Sequence, residues 1–268
     1  MKELKDYTEI AFNILQGETN YNRSKKIISD VFKINRKDRY ETILFRLTII
    51  DSYYSTQMNK RFFGLDDLSE KLTDITIDDD ELKNISLNYI EGKYNGNKIE
   101  DLFNEKYGIR KTGYIVGQAA SLISKYLYFL TEYNFPIYDN LVKSSYKLII
   151  KKYSQLNLIG MKCNFDFTYF ELLNSLNVKA EIKDFNKLDN LLWLIGKLTE
   201  GSLSLILSKN NYLNLLKNIH IEKGVKSKDV DIVIRKFIRK NIDNLTDIFE
   251  ENEIKFLKYT YALMDVEK

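Results

Sequence analysis

Asp139 is an acid in apolar company. Ile137, Tyr138, Leu141 and Val142 flank it, and Pro136, the one proline among 268 residues, stands just before it. Proline biases the preceding Phe135 away from the helical region. The spacing therefore predicts that one helix stops near Tyr133, and that Ile137 and Tyr138 run extended into the next. Asp139 falls at the head of that second helix, where a carboxylate caps exposed amides and the dipole favours its ionised form. Two uses of such a group stay open. It is a cap alone, or it is an ionised acid at a break between apolar helices, poised for proton transfer or for stabilising positive charge.

Other chemistry is scarce. The sequence contains no GxxxxGK[ST], GxGxxG, HExxH or GxSxG. His220, the only histidine, sits in KNIHIEKG near an expected helix end and reads as a surface or capping residue. One cysteine, Cys163, excludes an internal disulfide and fits a reducing cytosol. One Cys and one His give little basis for a structural zinc site. The run Asp78-Asp79-Asp80-Glu81 reads as a helix N-terminus before it reads as a divalent-metal site. RKFIRK (235–240) is a phosphate-binding stripe or a solvated helix face. The net charge of +3 is a weak pointer to nucleic acid, since many binders are far more basic. The N-terminal MKELKDYTEIAF has acids early and no apolar region, so no signal peptide is expected, and no stretch is long enough for a membrane span.

One proline and eleven glycines predict a helical chain with short connections. ETILFRLTIIDSYYSTQM places Ile43, Leu47, Ile50 and Tyr54 on one stripe, with Leu44 beside it. GLDDLSEKLTDI and DDDELKNISLNYIEG both begin with acids, and Gly92 follows the second. VGQAASLISKYLYFL is apolar on most faces, which makes it a central element. YDNLVKSSYKLIIKKY, NKLDNLLWLIGKLTEGSLSLIL, SKDVDIVIRKFIRKNI and ENEIKFLKYTYALM are further helices. NVKAEIKDF and YLNLLKNIHIEKG are blurred by β-branched runs. No repeat and no linker rich in Gly, Ser or Pro separates two halves. The expectation is one all-α domain over residues 1–268, compact and two-lobed, of roughly ten helices.

GYIVGQAASLISKYLYFL followed by FPIYDNLV resembles the helix-hairpin-helix DNA glycosylase superfamily. There a hairpin and an apolar helix lead into a short loop that delivers an essential aspartate. SKYLYFL…FPIYD looks most like its small bacterial 8-oxoguanine-glycosylase-like branch. RLTIIDSYYSTQM and LDNLLWLIGK are similar to flanking parts of that group, and the firm match covers residues 113–142. The resemblance implies a helix-hairpin-helix element over 113–142 and excision of a damaged or modified base by N-glycosidic hydrolysis, in repair or in defence against phage DNA. Asp139 would be the catalytic carboxylate. It further implies double-stranded DNA with a flipped base as partner, no cofactor, and no metal or membrane. Arg110, Lys111, Gly113, Gly117, Ser121 and Lys125 would hold the DNA. Tyr53, Tyr54, Tyr138 and Trp193, with Tyr126 as another candidate, would grip the extruded base; Trp193 also reads as core.

Bifunctional members of the superfamily carry a Schiff-base lysine after the hairpin. By counting back from Asp139, Ser121 fits that slot, while Lys125 is about one helical turn too close. This register implies a monofunctional enzyme, with Lys125 near phosphate or solvated. The alternatives are a DNA-binding module that has lost the reaction, and a helical protein-interaction scaffold.

Overall fold

The computed structural model describes residues 2–17, 20–93, 97–110, 112–114, 117–162, 164–200, 202, 207, 209–219 and 227–266. Every regular element among them is helical. In chain order they are α1 (Lys2–Gln16), α2 (Asn20–Phe32), α3 (Arg39–Tyr54), α4 (Gly64–Ile75), α5 (Asp79–Ile90), α6 (Asn97–Asn104) and α7 (Ala120–Leu130). There follow α8 (Asn140–Lys152), α9 (Thr168–Lys179), α10 (Phe185–Glu200), α11 (Lys209–Asn218), α12 (Ser227–Asn241) and α13 (Glu251–Asp265). Extended pairing among these residues is confined to a single antiparallel bridge between Phe62 and Ile109. The fold is all-α, and the thirteen helices among the described residues exceed the roughly ten expected. No helix named from the sequence corresponds to α1, α2 or α6; α6 has only eight residues, too short for its periodicity to stand out.

Local signals set many of the boundaries. Asp38 and Asp78 take extended backbone and accept from the amides of Glu41 and Glu81, each at 2.8 Å, which starts α3 and α5. Glu250 and Glu253 form a reciprocal capping box at α13. The acidic run at 78–81 is thus structural. Asp78 caps, Asp79 lies 2.5 Å from buried Arg46, and Glu81 accepts from the Ile77 amide at 2.7 Å and pairs with Lys98. Those bonds, led by the Ile77 amide, hold the Glu81 carboxyl below its usual value. No cluster of metal-ligating side chains occurs among the described residues.

The chain divides into two compact units. One comprises 1–23, 140–161 and 176–268; the other comprises 24–139 and 162–175. In the first, α8 and α10 approach closely because α10 carries Gly196 at the crossing. A Cβ there would meet Leu141 Cβ at 2.9 Å and Ser145 Oγ at 3.1 Å, and Ser145 donates to the Leu192 carbonyl at 2.7 Å. Gly196→Ala is expected to destabilise the fold by about 1 kcal/mol, because overpacking of about 1–3 kcal/mol outweighs the roughly 1 kcal/mol that alanine gains in a helix. A lowered urea midpoint with an unchanged slope is the measurement.

In the second unit α7 is the central helix. Ten of its eleven residues are buried, and the remaining one, Ser121, is partly exposed. α7 ends at Leu130, earlier than the proline alone predicts, because two successive left-handed residues turn the chain first. Glu132 has φ 53° and Tyr133 φ 73°, and the Tyr133 amide reaches back to the Tyr128 carbonyl at 2.7 Å. Pro136 then continues an extended segment, anchored by fully buried Phe135, that ends at Asp139.

Candidate active site

A lysine in a helix this buried is uncommon, since lysine is rarely enclosed unless paired. Lys125 is 2% exposed. Its ammonium donates to Ser121 Oγ at 2.6 Å, one turn back along α7, and lies 3.4 Å from Asp139 Oδ2. It also sits 5.2 Å from the centre of the Tyr54 ring, within cation–π range. The Asp139 side chain is 30% exposed, so the pair is closed on the lysine side and open on the carboxylate side.

Several bonds fix the loop that delivers Asp139. Ser124 Oγ, on α7, accepts from the Tyr138 amide at 2.9 Å. The Tyr169 hydroxyl donates to the Ile137 carbonyl at 2.7 Å and stands 3.4 Å from the Asp139 amide. The Tyr138 ring meets Phe165 and Tyr169 edge-on at 5.0 and 4.9 Å. Asp139 immediately precedes Asn140, the first residue of α8, so it stands at the helix head as its spacing predicts.

A cavity of about 250 Å³ opens beside two neighbours of this pair, Ser121 and Tyr138, with Thr56, Met58, Arg61 and Phe165 also in its wall. It is smaller than the roughly 300–1,000 Å³ of sites for drug-sized ligands, which leaves room for one base-sized ring system. Buried Asp51 shapes the opposite wall. Its carboxylate accepts from the Thr56 hydroxyl and from the amides of Met58 and Asn59 at 2.9 and 3.0 Å, fixing a turn in which Ser55 and Gln57 are left-handed. Arg61 donates to the carbonyls of Gly117 (2.7 Å) and Tyr107 (3.3 Å). Burial, and then the positive charge of Arg110, hold its guanidinium below the ordinary arginine value, with Asp51 acting in the other direction.

The residues expected from the sequence fall into distinct places. Asp139, Ser121, Lys125, Tyr54 and Tyr138 come together. Arg110 and Gly113 lie on an exposed tight turn, where Gly113 has φ 82° and its amide donates to the Arg110 carbonyl at 2.8 Å. At both glycines a Cβ would meet nothing within 4 Å, so neither marks a close approach of another group. Of the two glycines only Gly113 adopts the left-handed backbone. Lys111, Cys163, His220 and two residues of the expected hairpin, Ile115 and Val116, lie outside the described residues. Tyr53 is 44% exposed. Trp193 belongs to the other unit, where it packs against Tyr21 at 4.2 Å.

Two expectations need correction. Tyr126 is fully enclosed, and burial pushes its phenol up to about 12, so it offers no face to an extruded base. Lys125 is neither solvated nor turned outward to phosphate; its ammonium points inward to Ser121 and Asp139. The register count treats Ser121 and Lys125 as rivals, yet residues one turn apart share a helix face, and here they are hydrogen-bonded to each other. In RKFIRK, Arg235 donates to the Thr199 carbonyl at 2.5 Å and Arg239 pairs with Asp265, so both arginines are engaged within the protein.

Arg61, Met58, Asp51, Phe165 and Tyr169 are missed by sequence reasoning. The one available signal was RFFG (61–64), two aromatics and an arginine in no helical register. No helix among the described residues is long and apolar enough to cross a membrane. No family model, no curated protein and no solved structure matches the chain.

Proposed function

We propose that the protein cleaves the N-glycosidic bond of a damaged or modified base in DNA, with Asp139 as the catalytic carboxylate. The observation that carries this reading is the half-open acid, paired at 3.4 Å with a buried lysine, beside Tyr138 and Ser121, which line a base-sized cavity. As the bond to the base breaks, positive charge grows on the sugar, and a carboxylate nearby stabilises it. The base leaves with the bonding pair and takes a proton from solvent; a water then adds to C1′ and gives a proton to Asp139, which returns it to solvent. Tyr138 and Phe165 supply ring edges to the extruded base, and Tyr54 supports the lysine from the other side.

The 3.4 Å approach of Lys125 to Asp139 suggests a second form of the same reaction, in which the amine replaces water once the sugar displaces the cover over the lysine. Lys125 Nζ passes a proton to Asp139 and attacks C1′, and the base departs with the electron pair and takes a proton from solvent; the C1′–O4′ bond then opens as one proton moves from the nitrogen to O4′, leaving an iminium on the lysine. Both forms need an ionised acid beside the sugar; they differ in the atom that bonds to C1′.

A panel of modified-base duplexes tests the proposal. Wild type is expected to release a base from at least one, and Asp139→Asn to retain DNA affinity without release. Borohydride present during turnover separates the two forms. Covalent trapping that disappears in Lys125→Gln identifies the amine route, and excision without trapping identifies hydrolysis. Binding by wild type with no excision from any duplex identifies a DNA-binding module and overturns the proposal, as does a lack of DNA affinity at low salt.

A further inference from the structure

Segments 61–64 and 107–110 are locked together. Phe62 and Ile109 exchange both backbone hydrogen bonds, at 3.0 and 2.9 Å. Gly108 has φ 78°, and a Cβ there would stand 2.8 Å from both Arg61 Cβ and Gly64 Cα. Asp67 accepts from the Gly108 amide at 2.8 Å, and the Arg110 amide donates to the Tyr114 carbonyl at 2.9 Å. Core packing accounts for one side of this lock, since Tyr107 is 1% exposed and donates to the Leu102 carbonyl at 2.7 Å, but the other three aromatics here lie outside the core. Phe62 is 48% exposed, Phe63 64% and Tyr114 74%.

Phe63 is also strained. Its φ is 59°, a left-handed conformation that a bulky side chain rarely takes, and it occupies the N-cap position of α4 without a side-chain capping bond. Exposed aromatic surface held at a cost in backbone strain is hard to explain by packing. The same segments carry Arg61 and Arg110, and neither is ion-paired with a carboxylate among the described residues. Arg61 donates only to carbonyls, and Arg110 is exposed. Arg61 also lines the cavity beside Ser121 and Tyr138.

We propose that Phe62, Phe63 and Tyr114, with Arg61 and Arg110, form a platform for single-stranded DNA, its bases stacking on the rings and its phosphates meeting the guanidinium groups. Stacking on aromatics beside unpaired cations is how single strands are held without reading sequence. The platform adjoins the cavity wall through Arg61, so a strand lying on it leads to the candidate site. This goes beyond the excision reading. It names the form of DNA bound, an unpaired strand, and requires no bond to be cut.

The test is binding of the full chain to a labelled oligothymidylate and to a duplex of equal length, with 2-aminopurine placed in a second single strand. Wild type is expected to bind the single strand at least tenfold more tightly than the duplex and to quench the 2-aminopurine by stacking. Phe63→Asn and Tyr114→Ala are each expected to weaken single-strand binding by roughly 5- to 150-fold. Asparagine tolerates the left-handed backbone, so Phe63→Asn relieves strain and its loss of binding is not a loss of fold. Phe63→Tyr is expected to restore binding. Arg110→Gln is expected to flatten the dependence of log K on log salt by about 0.7.

Equal binding of single strand and duplex without quenching overturns the platform, and so does unaltered binding by Phe63→Asn and Tyr114→Ala. A concentration-dependent dimer abolished by the same substitutions also overturns it, in favour of self-association. Excision that depends on Asp139 but survives loss of stacking sinks the platform alone. Stacking without excision sinks the glycosylase reading alone.

Discussion

Asp139→Asn is expected to lower base excision by a factor of about 10²–10⁴, the range for losing one positioned acid–base or electrostatic group. The substitution is nearly isosteric. It removes a negative charge and a proton acceptor while leaving a polar group at the head of α8. Both proposed forms of the reaction need that charge. In hydrolysis it stabilises the sugar cation and receives the proton of water; in the amine route it receives the proton of Lys125, 3.4 Å away. DNA affinity is expected to hold or rise, because removing an anion near a phosphate chain reduces repulsion.

The Asp139→Asn change also takes the counter-charge from an ammonium that is 2% exposed, although Lys125 keeps its 2.6 Å bond to Ser121. Leaving a buried charge without its partner costs about 3–5 kcal/mol, and the 30% exposure of the Asp139 side chain places the expected destabilisation below that, at about 1–3 kcal/mol. Release rates under single-turnover conditions, set beside a melting curve of the same preparation, are the measurements. Excision at wild-type rates would remove Asp139 from the chemistry and leave it as a helix cap.

How much of this was legible in the sequence depends on whether the signal was periodic. α4 and α5 come from acidic first turns and α7 from its apolar run, and they appear close to where those signals place them. The aspartate loop was legible too, because a single proline before an isolated acid is a local instruction. The end of α7 was not. Left-handed Glu132 and Tyr133 are neither Gly nor Asn, so nothing in their types announces the turn.

The fate of Lys125 illustrates a different limit. Counting residues ranks Ser121 and Lys125 as competitors for one slot, whereas a helix puts both on one face, so that a count cannot choose between them. The wall of the cavity was least visible. Met58 and Arg61 are presented by a turn that buried Asp51 ties together, and an acid in the middle of an apolar stripe carries no mark that it caps a loop several residues on.

The lock between segments 61–64 and 107–110 makes a sharp stability prediction, because two glycines nearby separate its causes. Gly113 and Gly108 both have left-handed backbones, with φ 82° and 78°. At Gly113 an added Cβ meets nothing within 4 Å, so Gly113→Ala carries backbone strain alone, about 1–2 kcal/mol. At Gly108 the same strain is joined by overlap with Gly64 Cα at 2.8 Å and Gly64 N at 3.0 Å, backbone atoms that cannot swing aside as a side-chain tip can. Overpacking adds about 1–3 kcal/mol, so Gly108→Ala is expected to cost about 2–5 kcal/mol. Denaturant midpoints for the two variants give the comparison. A clear excess at Gly108, with weaker single-strand binding in native buffer, ties the interlock to the presentation of Phe62 and Phe63. Equal costs at the two positions would mean that α4 and the 107–110 segment part easily, and a platform that depends on their rigid pairing would then lack its foundation.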